Sequence, residues 1–206
     1  MSEQNTELYI IRHGHTVNGD EKRYKGHIDV PLSEIGKKQA YALGKWIKDK
    51  GLIPHLIFSS DLSRAVETAR IIGEQFGMSP QIDTALRERS FGLWEGMSFE
   101  EIEKGFPEEF GRWKEDPFEY HPPEGESTRD VKERVEGFLT KRMDEFKGKR
   151  VFIVSHGGVN RVLIAHFLGL PLNNLFRIEQ DYCCLNRVVI FPDGLSLLSL
   201  MNAQVF

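Results

Sequence analysis

Three short motifs, far apart in the chain, bring together the residue types that phosphate chemistry uses. Arg12-His13-Gly14 stands near the start, Ser59-Ser60-Asp61-Leu62-Ser63-Arg64-Ala65 follows, and Ser155-His156-Gly157-Gly158 comes late. An arginine fork makes paired hydrogen bonds to phosphate oxygens and stays charged at any working pH. A neutral imidazole is nucleophilic near pH 7 and can carry a covalent intermediate. The glycines after His13 and His156 would let backbone come close to a ligand. An anion pocket from Arg12 and Arg64 and a nucleophile from a histidine would suit phosphoryl transfer. A lone Arg-His-Gly triplet arises readily by chance; the three motifs together carry the argument.

The elements that must position these motifs can be read from periodicity. Leu8-Tyr9-Ile10-Ile11 is a short apolar, β-prone run that ends abruptly at Arg12, the pattern of a buried strand delivering a polar loop. Ser33 is placed to cap a helix running to about Lys50, with Ala40, Leu43 and Ile47 at helical spacing and Gly51 as its stop. Leu56-Ile57-Phe58-Ser59 predicts a second buried strand, followed by a helix reaching about Phe76. Ser127 and Asp130 have capping-box spacing and open a long helix to about Phe146. Val151-Phe152-Ile153-Val154 predicts a third buried strand, with a helix from Gly157 to Leu168 behind it. Arg187 to Phe191 and Leu195 to Met201 predict closing strands around Pro192-Asp193-Gly194.

Between Arg87 and Glu126 the pattern breaks into prolines, tryptophans and acids, with short helical pieces such as Ser98 to Lys104. We read residues 89–126 as a helical and irregular excursion over the site within a single domain spanning 1–206, because its aromatics need something to pack against. Alternating strands and helices imply a three-layer α/β/α sandwich with a mostly parallel central sheet. Ligands in such sheets sit beyond the carboxyl ends of the strands, where Arg12, His13, Ser59 to Arg64 and His156 all fall.

Composition narrows the partners. The chain has 206 residues, 40% of them apolar, with 27 basic against 31 acidic side chains and a net charge of −4. That balance argues against general binding to nucleic acid or an anionic membrane. No apolar run approaches the ~20 residues of a membrane span, and Met1 to Glu7 lacks the layout of a signal peptide. Cys183 and Cys184 are adjacent and poorly placed to pair, so a cytoplasmic, reduced protein with inert thiols is expected.

With Pro31-Leu32-Ser33-Glu34-Ile35-Gly36, Leu86-Arg87-Glu88 and Phe91-Gly92-Leu93-Trp94-Glu95-Gly96 added in order, the chain resembles the histidine phosphatase (phosphoglycerate-mutase-like) superfamily from Leu8 to at least Leu170. The resemblance implies that His13 becomes phosphohistidine, that Arg12, Arg64 and His156 hold the phosphoryl oxygens, and that Glu88 protonates the leaving alcohol and then activates water. It implies a small phosphorylated metabolite as partner and no metal or other cofactor. Asn18, Gly26 and Gly157 are candidate phosphate contacts, although the family's usual asparagine lies one position beyond Asn18 and its usual acid after Arg-His-Gly is His15 here. Glu88 would have to hold its proton near neutrality, which a partly closed apolar lid favours; Phe91 and Trp94 are candidates for that lid or for ordinary packing. The terminal strands leave a homodimer open.

Within the resemblance, mutases carry a Glu-Arg-His-Tyr-Gly stretch where this chain has Glu88-Arg89-Ser90-Phe91-Gly92. The excursion's acids, among them Glu100, Glu101, Glu103, Glu108, Glu109, Glu115, Asp116 and Glu119, would repel a highly anionic substrate. Hydrolysis is therefore expected, with a phosphoglycerate mutase and a catalytically silent phosphate-binding module as alternatives. Pro122-Pro123-Glu124-Gly125-Glu126-Ser127 resembles the α-ribazole phosphatase and broad-specificity branch, where Trp94 or Trp113 would be available to stack on a base. His13, His15 and His156 as a zinc site is disfavoured, since no carboxylate has ligand spacing and two arginines would repel a dication. His166, on an apolar helix face, is expected to be packed and hydrogen-bonded.

Overall fold

The first strand, β1 (Thr6–Arg12), is apolar throughout its middle because both of its faces are covered: Leu8, Tyr9, Ile10 and Ile11 are each at most 1% exposed. In the computed structural model, which describes residues 4–205, this strand lies inside a six-stranded sheet. Five further strands complete it: β2 (Leu56–Ser59), β3 (Gln81–Ile82), β4 (Arg150–Ser155), β5 (Leu185–Ile190) and β6 (Ser196–Ala203), in the order β3-β2-β4-β1-β5-β6. The ladders β1–β4, β2–β4 and β2–β3 are parallel, while β5 is antiparallel to β1, and β6 to β5.

Alternate residues of the strands point to opposite faces, and each face has its own core. Leu8, Ile10, Phe58 and Ile153 pack against α5 (Thr128–Phe146) and α6 (Gly157–Leu168) through Val135, Phe138 and Leu163. Tyr9, Ile11, Ile57 and Phe152 pack against α1 (Glu34–Asp49) and α2 (Ser63–Glu74) through Leu43, Ile47, Ala69 and Ile72. The result is the expected three-layer sandwich. Ser33 caps α1 by accepting from Gly36 N, and Ser127 with Asp130 forms the expected capping box on α5. None of the described helices is long and apolar enough to cross a membrane.

The excursion holds α3 (Phe99–Gly105), α4 (Pro107–Glu115) and a 3-10 turn at Gly92–Trp94. Their apolar side chains gather in a third cluster of Trp94, Ile102 and Phe110, flanked by Tyr24, Phe106, Trp113 and Tyr120. Helix α4 and strand β3 were not expected from sequence. β3 is two exposed residues at a sheet edge, with no periodicity to read. His166 is hydrogen-bonded as expected, to Glu136 at 2.9 Å, but it is exposed near the end of α6 and not packed into the core, because the helix turns that position outward.

Candidate active site

Strand register brings the motifs together. β1 and β4 run parallel with Arg12 opposite Ser155, so the next residues, His13 and His156, emerge side by side. Their rings meet edge-on with centroids 5.1 Å apart. Ser59 lies opposite Val154, and Ser60 beyond it brings its hydroxyl within 2.9 Å of His156 Nε2.

His13 is 6% exposed, and its Nδ1 lies 2.8 Å from the carbonyl of Gly14. A carbonyl can only accept, so Nδ1 carries the proton and Nε2 keeps its lone pair. Burial, and then the Arg12 and Arg64 guanidinium groups, hold the His13 pKa well below the ordinary 6.5, so the ring is neutral at pH 7. His156 is depressed well below 6.5 in the same way, by burial first and then by His13, Arg64 and Arg12.

Arg64, 2% exposed, is braced by the carbonyls of Ile28 at 2.8 Å and Gly26 at 2.7 Å. Arg12 donates from Nη1 to Gln180 O at 2.6 Å and lies 4.1 Å over the ring of Tyr182, with its Nε buried and without a hydrogen-bond partner. Glu88 faces them from the excursion side. Its carboxylate accepts from Arg89 N at 2.9 Å and from Gly158 N, in the first turn of α6, at 3.1 Å. Its carbonyl is held by His27 Nε2 at 2.8 Å and Arg134 Nη2 at 3.0 Å.

These groups border a cavity of about 510 Å³ whose far wall includes Phe91, Trp113, Val162, Leu175 and Phe176. An uncharged imidazole with a free nitrogen, two fixed guanidinium groups and a facing carboxylate can bind a phosphoryl group, attack it and exchange a proton with its ester oxygen. Residues 8–203 match the sequence profile of the histidine phosphatase superfamily, branch 1. The chain belongs to that superfamily.

Relatives of this histidine phosphatase carry several names. It is 36% identical to a glucosyl-3-phosphoglycerate phosphatase of Mycolicibacterium vanbaalenii, over 81% of this chain and 76% of the relative. It is 33% identical to a protein of Yersinia pestis named probable phosphoglycerate mutase GpmB, over 88% of this chain and 84% of the other. The solved α-ribazole phosphatase of Shigella flexneri superposes with a TM-score of 0.88 at 29% identity, covering 97% of this chain and 98% of that one.

The histidine phosphatase cavity gathers Arg12, His13, Gly26, Arg64 and Glu88, and His156 packs edge-on beside His13. Asn18 is placed differently: it is exposed, is not among the lining residues, and reaches the site only through its carbonyl, which accepts from Lys25 Nζ at 2.9 Å. Gly157 starts α6 just off the cavity wall, and Gly158 takes the lining position. Phe91 and Trp113 line the cavity, whereas Trp94 is 2% exposed inside the excursion's own cluster. His15 turns away from His13, with Nδ1 2.8 Å from Ser33 Oγ, and among the described residues no group of three or more His, Cys, Asp or Glu could hold a metal. Cys183 and Cys184 are free and fully buried beside β5; burial pushes the Cys184 thiol up to about 11 and raises Cys183 further.

The excursion's acids, expected to repel an anionic substrate, do not line the cavity. Only Glu21 and Glu88 among the acids line the cavity, while Glu100, Glu103, Glu108 and Glu115 are exposed elsewhere and Glu101 pairs with Arg23 at 2.6 Å. The sequence reading also missed four residues. Lys25 ties Thr16, Val17 and Asn18 into the loop, and His27 braces Glu88. Arg161 follows Gly157 by one helical turn, a spacing that would have flagged it. Tyr182 had no motif; it arrives on a segment fastened by Asp181 N to Asn202 Oδ1 at 2.7 Å and Asn202 Nδ2 to Asp181 Oδ2 at 2.9 Å.

Proposed function

We infer that this histidine phosphatase is a phosphoric monoester hydrolase that works through a phosphohistidine on His13. The observation that carries the reading is the Nδ1 contact to Gly14 O at 2.8 Å, which fixes the ring with its Nε2 lone pair available. That nitrogen attacks phosphorus, the bond from phosphorus to the ester oxygen breaks, and Glu88 in its protonated form gives its proton to the departing alkoxide. Water then attacks the phosphohistidine, loses a proton to the Glu88 carboxylate, and inorganic phosphate leaves with His13 neutral again. Arg12, Arg64 and His156 are assigned to the phosphoryl oxygens, where fixed donors stabilise charge as it develops. Splitting one displacement into two is what a covalent intermediate supplies.

The substrate is a small organic phosphomonoester. The cavity of about 510 Å³, with Phe91 and Trp113 in its wall, supports an organic body beyond the phosphate. The phosphatases among its relatives favour water over a second alcohol as acceptor. We place the enzyme in the cytoplasm, a setting in which the buried Cys183 and Cys184 stay free thiols; finding it in an oxidising compartment would refute that.

The test is an alkaline quench during turnover of p-nitrophenyl phosphate, with the protein assayed for alkali-stable phosphate. Wild type should accumulate label, and His13→Ala should lose label and turnover together. Glu88→Gln should slow alkyl phosphates, with their poor leaving groups, more than p-nitrophenyl phosphate, as its acid role requires; equal losses on both ester types would argue against that role. Full activity of His13→Ala would end the covalent reading.

A further inference from the structure

Six cationic side chains, Arg12, Arg23, Lys25, Arg64, Arg89 and Arg161, line the cavity, against only two acids, Glu21 and Glu88. A phosphomonoester brings about two negative charges, so the site holds more positive charge than the reacting group needs. Arg12 and Arg64 are assigned to the reacting phosphoryl group, and three of the other four cations are committed to the protein. Arg23 bonds Glu101 and Gly96 O. Arg89 donates to Pro117 O, Tyr120 O, Glu126 O and Thr128 Oγ1. Lys25 uses its ammonium on Thr16 Oγ1, Val17 O and Asn18 O, and Arg64 holds Gly26 O and Ile28 O.

Arg161 is different. Its Nε donates to Ile178 O at 2.7 Å, which fixes the plane of the fork, while Nη1 and Nη2 have no hydrogen-bond partner among the described residues. A Cβ placed on Gly157 would stand 3.4 Å from Arg161 Nη1 and 3.6 Å from Arg12 Nε, so two guanidinium groups converge on the stretch of backbone that follows His156. Burial disfavours the Arg161 charge, Glu88 favours it, and Arg12 adds to the penalty. A fixed, partly desolvated fork with its terminal edge free is suited to an anion that binds through two oxygens.

We propose that Arg161 is a second-anion subsite that selects phosphomonoesters carrying a further anionic group, such as a carboxylate, close to the scissile ester. The proposal rests on the hydrolase reading and deepens it to a substrate class. Of the substrates in its relatives' names, a phosphoglycerate carries such a group and α-ribazole phosphate does not.

The experiment compares kcat and KM for 3-phosphoglycerate and glycerol 3-phosphate, which differ by a carboxylate, with p-nitrophenyl phosphate as reference, in wild type, Arg161→Gln and Arg161→Lys. Wild type should favour 3-phosphoglycerate over glycerol 3-phosphate by at least about tenfold in kcat/KM. Arg161→Gln should bring that ratio near unity, mainly through KM. Arg161→Lys should keep part of it, since it retains the charge but not the fork. Equal losses on all three esters, or a wild type without preference, would overturn the subsite. A wild type inert even on p-nitrophenyl phosphate would instead defeat the hydrolase reading, and the subsite with it.

Discussion

His13 and His156 bear on stability as well as on chemistry. Both pKa values lie well below 6.5 in the folded protein, through burial first and neighbouring cations second, and both rings regain ordinary values when the chain unfolds. Below about pH 6.5 the unfolded chain therefore binds more protons than the folded one, so stability is complete above that pH and falls as pH drops through it. Melting temperature should be level between about pH 8 and 7 and decline below about 6.5, with a shallower decline in His156→Asn, which cannot titrate. A melting temperature flat down to about pH 5 would contradict the neutral assignment. At this scale the residues legible in sequence were those whose type alone suggests phosphate chemistry, Arg12, His13, Arg64, Glu88 and His156. Tyr182 was not, because nothing in its neighbours says that Gln180 O will anchor Arg12 and bring the ring under the guanidinium. Asn18 looked chemical, yet a left-handed turn at φ 53° spends its carbonyl on Lys25 and leaves the residue exposed.

Among the elements, the excursion and the loop around Gly26 are joined by one carboxylate. Glu95 Oε1 accepts from His27 N at 2.9 Å, Phe91 N at 3.0 Å and Ser90 Oγ at 3.3 Å. Gly26, at φ 47°, leaves room for it, since a Cβ there would stand 2.1 Å from that oxygen. Gly26 O and Ile28 O in turn brace Arg64. Glu95→Ala should therefore speed hydrogen exchange at residues 26–28 and raise KM several-fold, with Glu95→Gln milder because it keeps an acceptor oxygen. Unchanged exchange at those amides would show that the latch is unimportant. The buried strands and capped helices were readable because a strand covered on both faces must be apolar and a Ser cap has few other meanings. Helix α4 carried signals too, Pro107 at its first position and acids in its first turn, but its short length among prolines masked them.

Over the whole molecule, the sheet divides apolar packing into two large cores, while the excursion depends on its own small cluster around Trp94. Fewer buried contacts imply a lower local opening energy. Amides of α3 and α4 should exchange through openings cheaper than those of β4. Trp94→Ala, at a cost of about 3–5 kcal/mol, should lower protection in the excursion while β4 keeps its own; uniform loss across both would refute this. The alternation of strands and helices was legible, but the insertion of β4 between β1 and β2 was not, because parallel order is set by crossovers that leave no local mark. The tie between Asn202 and Asp181 alters how a mutational screen should be read. A lesion at Asn202 sits 189 positions along the chain from His13 and outside every catalytic motif, yet it would untether the stretch that carries Tyr182 to Arg12. In a ranking by sequence distance it would be dismissed as remote; by wiring, it belongs to the phosphate pocket.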